Sequence, residues 1–200
     1  LTEYNKADAG RPALRQAVAR RALHLGCALD AADIVITASC TQAVSLCLRA
    51  VTQPGDVVAL ESPTYFGYLD LIESQGLRVL EIPTHPATGL SLPALELALD
   101  TQPVRAVVAA PTLSNPLGSV MPLAAKQKLV KLLAQRGVPL IEDVVFNDLL
   151  AGDERRKAAK AFDTDGNVMV CGSFAKTLTP GIRLGLSLIH ISEPTRPLYI

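Results

Sequence analysis

The chain has 200 residues, of which 49% are hydrophobic and 19% charged, and its formal net charge is zero. Those proportions exclude a disordered polymer and supply enough apolar side chains for one real core. The balanced charge and a pI of about 7.0 exclude a basic footprint for nucleic acid or for an anionic membrane surface on these residues.

From Arg11 to Leu25, the residues Leu14, Val18, Ala22 and Leu25 recur at helical spacing and Pro12 suits a first helical turn, which predicts an amphipathic helix. Short apolar runs then alternate with helical stretches. Strands are predicted at 34–37, 57–60, 78–82, 106–110, 138–143 and 168–173, and helices at 41–51, 66–74, 92–99 and 123–135. The strands are apolar on successive residues, so both of their faces are buried, and the strand-helix-strand spacing demands mostly parallel pairing with right-handed crossovers. The predicted fold is therefore α/β, a doubly wound and mostly parallel sheet.

Such sheets bind ligands outside the carboxyl ends of their strands, and the polar residues fall there. Ser39 and Thr41 follow the strand at 34–37, "ESPTYFG" ends the one at 57–60, and "PTLSNPLG" follows 106–110. Glu142 and Asp143 end 138–143, and Lys176 follows 168–173. Taken singly these residues have ordinary explanations: Ser39 or Thr41 as a helix cap, Asn115 before proline as a turn, Tyr65 as core, Asp143 as a strand-end cap. A lone lysine is usually a solvated charge. Here lysine, aspartate and asparagine converge from three different strand ends.

The remaining polar residues point to less. Cys27, Cys40, Cys47 and Cys171 are scattered among apolar neighbours without a CxxC pair, which suits reduced thiols in a cytosolic protein. His24 and His85 have no partners at metal spacing, so no metal is expected. The stretch "GDERRKAAK", 152–160, mixes signs and is expected to be a solvated helix or loop. No signal peptide opens the printed chain, which starts at Leu1, and no apolar run approaches the ~20 residues of a membrane helix, so no membrane partner is expected.

The most informative stretch is "GSFAKTLTPGIRLG", Gly172 to Gly185. Ser173 and Arg183 bracket Lys176 with a hydroxyl and a fixed positive fork, groups suited to a phosphate. An amine held beside a phosphate-bearing carbonyl compound is a Schiff-base nucleophile.

"SFAKTLTPGIRLG" resembles the pyridoxal-phosphate lysine motif of the class I/II aminotransferases, in the version found in the aminotransferase-like domains of GntR/MocR-type transcriptional regulators. The resemblance runs through nearly all of 1–185 and includes "PGDVVALESPTYFGYLDLIESQGLRVLEIPTHPATG". It implies the large domain of the fold-type I aminotransferase fold, incomplete at both ends, with pyridoxal 5'-phosphate as cofactor. Lys176 matches the lysine that forms a Schiff base with the cofactor and then shuttles the α-proton. Asp143 matches the aspartate that keeps the pyridine nitrogen protonated and so makes the ring an electron sink. Asn115 matches the donor to the ring's 3-oxygen, and Tyr65 the aromatic that stacks on the ring. Ser39, Cys40 and Thr41 match the helix-opening turn that takes the phosphate together with Ser173 and Arg183. Three positions depart from the pattern: Phe146 stands where many relatives have a tyrosine that also bonds the 3-oxygen, Val144 replaces a common second aspartate, and Ser39 replaces a frequent glycine.

The function implied is the effector-sensing part of a regulator, cytoplasmic and homodimeric with sites near the dimer interface. It would respond to an amino acid, an amine or a 2-oxo acid, and reach DNA only through a winged helix-turn-helix preceding Leu1. The alternative is a free-standing aminotransferase acting between an amino acid and a 2-oxo acid. The arginine for the substrate carboxylate would lie on a C-terminal small domain, so no residue here is assigned that role.

"LSLIHISEPTR", Leu186 to Arg196, breaks the family pattern and resembles the conceptual translation of a transposon-type sequencing-library adapter. This divides the chain into a natural part, 1–185, and a foreign tail, 186–200. In the resembled fold the strand after "GIRLG" is antiparallel and lies inside the sheet beside 34–37. "LGLSLIHIS" alternates apolar and polar residues well enough to predict a strand at 186–192 in that slot.

Overall fold

A computed structural model describes residues 9–150 and 152–188. In chain order it contains α1 (Pro12–Ala22), β1 (Ile34–Thr37), α2 (Cys40–Val51), β2 (Val57–Ser62), α3 (Phe66–Ser74), β3 (Arg78–His85) and β4 (Gly89–Leu90). Then come α4 (Leu92–Thr101), β5 (Val104–Ala109), α5 (Leu123–Arg136), β6 (Leu140–Asp143), β7 (Val168–Ser173) and β8 (Gly185–Leu188). The strands form one sheet in the order β1-β8-β7-β6-β5-β2-β3-β4. From β7 through β3 neighbouring strands are parallel; β8 runs antiparallel to both β1 and β7, and β4 antiparallel to β3.

Every predicted strand and helix before Gly185 forms, and the expected doubly wound, mostly parallel sheet is observed. The predicted strand at 186–192 occupies the slot beside β1 as far as Leu188; 189–192, and the rest of the tail, lie outside the described residues. Boundaries move where a backbone group is taken by something other than the sheet. The strand at 138–143 begins only at Leu140, because Gly137 adopts a left-handed conformation (φ 63°) and the Val138 N–H returns to the Leu133 carbonyl to close α5. The strand at 106–110 stops at Ala109, because the Ala110 N–H is held by the Glu61 carboxylate. The first helix ends at Ala22 and continues as a tighter turn, Leu23–Leu25, stopped by Gly26 (φ 77°).

The expectation for 152–160 needs correction. Ala158 and Ala159 are fully buried, and the carbonyls of Arg155 and Lys157 accept hydrogen bonds from the buried Lys126 ammonium at 2.7 Å each. This stretch is a lid on the core as well as a solvated surface.

Alternation along the strands sorts side chains to the two faces. Val57, Ala59 and Val107 pack against α4 and α5 through Leu95, Leu129 and Leu133. Val58, Leu60, Ala106 and Val108 pack against α2 and α3 through Val44, Leu48, Tyr68 and Ile72. α1 covers the β1 end through Val18 and Ala22. Among the described residues no helix is long and apolar enough to cross a membrane.

Candidate functional site

The carboxyl ends of β1, β2, β5, β6 and β7 open on one edge of the sheet, where β8 also begins. At β1 the chain turns through Ser39, whose Oγ accepts from the Gln42 N–H at 3.1 Å and caps α2. Thr37 Oγ1 donates to the Ser39 carbonyl at 2.9 Å, and the Ala38 N–H donates to Gln42 Oε1 at 2.7 Å. The turn is thereby rigid, and the amides of Cys40 and Thr41, which open the helix, have no intrahelical acceptor. That is the arrangement by which helix starts bind anions.

Gly185 brings the next strands up to this turn. In register, Thr37 pairs with Gly185 and Gly185 with Ser173, so the turn after β1 and the end of β7 flank one glycine. A Cβ on Gly185 would lie 2.4 Å from the Ser39 carbonyl carbon and 2.6 Å from Thr37 Oγ1. No other residue fits. Ser173 Oγ donates to the Leu184 carbonyl at 3.0 Å and accepts from the Ala175 N–H at 3.1 Å, while the Phe174 N–H also donates to Leu184. These bonds close the base of the loop that carries Lys176 and Arg183, both exposed. Arg183 adopts the left-handed region at φ 49°, a conformation uncommon for a non-glycine residue. Phe174 is held from outside by the Arg21 guanidinium, 5.1 Å from its ring centre and itself paired with Asp148 at 2.6 Å.

Asp143 ends β6 and is buried. Its Oδ1 accepts from the Val145 N–H at 2.8 Å and from Cys40 Sγ at 3.3 Å, and its Oδ2 accepts from Tyr68 Oη at 2.5 Å. Burial pushes its pKa above the usual carboxylate range, while the bonds from Tyr68, Val145 and Cys40 pull it back. Among the described residues Asp143 makes no ion pair. Glu142, its neighbour, points to the opposite face, where it accepts from the Ala159 and Lys160 N–H groups at 2.7 and 3.0 Å. It belongs to the core and not to this edge.

Tyr65 lies just ahead of α3, half-buried, with its ring edge-on to Tyr68 at a centroid distance of 5.4 Å. Asn115 is exposed on the loop after β5, which is braced by the Ser114–Ser119 hydroxyl pair. Direct contacts thus join Cys40, Asp143 and Tyr68, and strand register through Gly185 joins Thr37, two residues before Ser39, with Ser173. The side chains of Asn115, Lys176 and Arg183 share the edge without a hydrogen bond to another described residue.

Two residues of this edge escaped sequence reasoning. Glu61 ends β2, is buried, and has its pKa pushed up to about 8, chiefly by burial. Tyr68 reaches Asp143 across 75 positions of sequence; its helical spacing from Tyr65 in "TYFGY" was the available signal.

The sequence profile described as "Aminotransferase class I and II" matches residues 3–192. The chain belongs to this family. The match runs past Gly185 into the segment that breaks the motif pattern. The chain is 41% identical over 177 residues to a protein of Escherichia coli (strain K12) named uncharacterized HTH-type transcriptional regulator YjiR, covering 88% of this chain and 38% of that protein. It is 33% identical over 165 residues to the tyrosine aminotransferase of Homo sapiens, covering 81% of this chain and 36% of the relative. Among solved structures it is similar to LysN, an alpha-aminoadipate aminotransferase from Thermus thermophilus complexed with N-(5'-phosphopyridoxyl)-L-leucine, at a TM-score of 0.81 and 29% identity. That likeness covers 94% of this chain and 47% of LysN. The chain therefore spans less than half the length of each of these proteins.

Proposed function

We propose that this edge is the pyridoxal-phosphate site of an aminotransferase-like domain, and that the domain is the effector-sensing part of a GntR/MocR-type transcriptional regulator. The observation that carries the cofactor reading is Asp143: a buried carboxylate with three donors and no cation among the described residues, beside a helix start suited to an anion. A ligand with a protonated ring nitrogen at one end and a phosphate at the other fits that donor set.

When bound, pyridoxal phosphate supplies an aldehyde reactive toward amines and a ring that withdraws electrons. In this reading the Cys40 and Thr41 amides, with Arg183 and with Ser173 once its hydroxyl proton turns from the Leu184 carbonyl, bind the phosphate and orient the ring. Tyr65 covers a ring face and excludes water from it. Asn115 donates a hydrogen bond to the 3-oxygen, and Asp143 holds a proton on the ring nitrogen. Lys176 offers a primary amine at Nζ that takes up or releases a proton at the reacting carbon. Phe146 has no hydroxyl, so it adds nothing at the 3-oxygen. The effector is an amino acid, an amine or a 2-oxo acid.

The regulator reading is supported by the 41% identity to a protein named as an HTH-type regulator, against 33% to an aminotransferase. It includes a homodimer, to which the exposed Phe66 and Leu178 near the site are suited, a cytoplasmic location suited to four free thiols, and a DNA-binding domain ahead of Leu1. We also infer that 186–200 is not the natural continuation of 1–185.

The site is tested in the full-length source protein. A visible cofactor band is expected, and it should vanish in Lys176→Ala; persistence of the band would remove Lys176 from its role. Sequencing outward in the source DNA tests the rest. An in-frame winged helix-turn-helix upstream supports the regulator, whereas a start codon and short arm there would select the free-standing aminotransferase. A continuation after Gly185 other than "LSLIHISEPTR" identifies the tail as foreign.

A further inference from the structure

One helical turn of chain arranges both an aromatic ring and the support of a buried carboxylate. Tyr65 stands just before α3 and Tyr68 in its first turn, with the Tyr68 N–H donating to the Tyr65 carbonyl at 3.0 Å. Gly67 lies between them, and a Cβ there would fall 2.5 Å from Tyr65 Cε1, so the Tyr65 ring rests where a side chain would otherwise be. The two rings meet edge to face at 89°. Tyr68 is 5% exposed, packed against α2 and the sheet, and its hydroxyl ends at Asp143 Oδ2.

We propose that Tyr68 is a positioning residue for Asp143: its phenolic O–H fixes the carboxylate as an oriented anion, ready to pair with a protonated ring nitrogen. This rests on the cofactor reading above. Oδ1 is occupied by Val145 N–H and the weaker Cys40 thiol, so among the described residues Tyr68 is the one strong side-chain donor to the carboxylate. Burial, followed by the charge of Asp143, pushes the phenol well above its ordinary pKa, which keeps it a donor at every working pH. The other titratable groups around the pair among the described residues are Tyr65 just before α3, Cys40 from α2, Cys171 from β7, Glu61 from β2 and Glu142 from β6 itself. All are acids, none supplies a competing positive charge, and of these only Cys40 hydrogen-bonds the Asp143 carboxylate. A carboxylate deprived of the phenol would take up a proton at higher pH and lose its charge where the ring nitrogen needs it.

The experiment uses the full-length protein and measures pyridoxal phosphate binding by fluorescence across pH. In Tyr68→Phe, which keeps the ring and removes one oxygen, the acid limb of the binding profile is expected to move up by about one pH unit. Affinity on the plateau should fall about tenfold, the loss of one charge-assisted hydrogen bond. A purely packing role would leave the acid limb in place, so an unmoved limb overturns the proposal. The same substitution made in Asp143→Asn should add nothing further, and a full additional loss there overturns it as well. A parent protein with no Lys176-dependent cofactor band would overturn the site reading together with this one. A parent with that band and an unchanged Tyr68→Phe profile would overturn this one alone.

Discussion

Adjacent carboxylates at the end of β6 show how position decides chemistry. Glu142 is spent on two backbone N–H groups of the 158–160 segment, and Asp143 is held by a phenol, a thiol and an amide at the sheet edge. Period-two alternation separates them, and the sequence could place both at a strand end but not say which face each served. That Asp143 and Lys176 fall at strand ends was legible from the local apolar runs before them, and strand ends are where such folds bind ligands. Tyr68 was not, because its partner lies on another element far along the chain. Glu61 permits a test at this scale. Its folded pKa of about 8 lies above its ordinary value, so its protonated form stabilises the fold below the unfolded pKa and that contribution fades as pH rises toward 8. Between about pH 5 and 8 stability should therefore fall, by at most about 1.4 kcal/mol per unit from this group. Urea unfolding of Glu61→Gln should show a flatter slope over that window; an unchanged slope would mean that Glu61 is ionised throughout.

Elements were more legible than residues because apolar runs and helical spacing are local signals, whereas the ends of elements are set by distant groups. Val138 is claimed by the helix before it and Ala110 by the Glu61 carboxylate, and neither claim is visible in a window of neighbouring residues. The joining of β1, β8 and β7 depends on one such distant approach. Gly185→Ala would drive a methyl group into the backbone of Ser39, and the clash is with main chain, which cannot rotate away. The expected cost is about 1–3 kcal/mol, read by thermal or urea unfolding. Because the turn at Ser39 opens α2, pyridoxal phosphate affinity should fall with it. Wild-type stability and affinity in this variant would show that the turn can yield.

At the scale of the whole molecule, the apolar residues Phe66, Leu69 and Leu178 are left in solvent at the same edge as the polar site. Phe66 is 70% exposed and packs against the Tyr65 ring with their ring centres 4.9 Å apart, so a partner covering it would also close one side of the site. If the protein is a homodimer through this face, Phe66→Glu should shift sedimentation toward the monomer and weaken cofactor binding in the same concentration range. A dimer indifferent to that substitution would move the interface elsewhere.

Within the sheet, β1 has a single ladder partner among the described residues, β8, and the pairing joins Ile34 to Leu188. During synthesis β1 and the α1 helix leave the ribosome before the other strands of the sheet, yet the strand that ties them to β7, whichever residues follow Gly185 in the natural protein, emerges only after β7 itself. For the whole of that interval the apolar run "IVIT" has no strand to pair with, so late closure of a long-range contact governs this half of the sheet. A nascent chain halted shortly before Gly185 would carry an open β7 edge and an unpaired β1, a substrate for chaperones until a strand fills the slot that β8 occupies here.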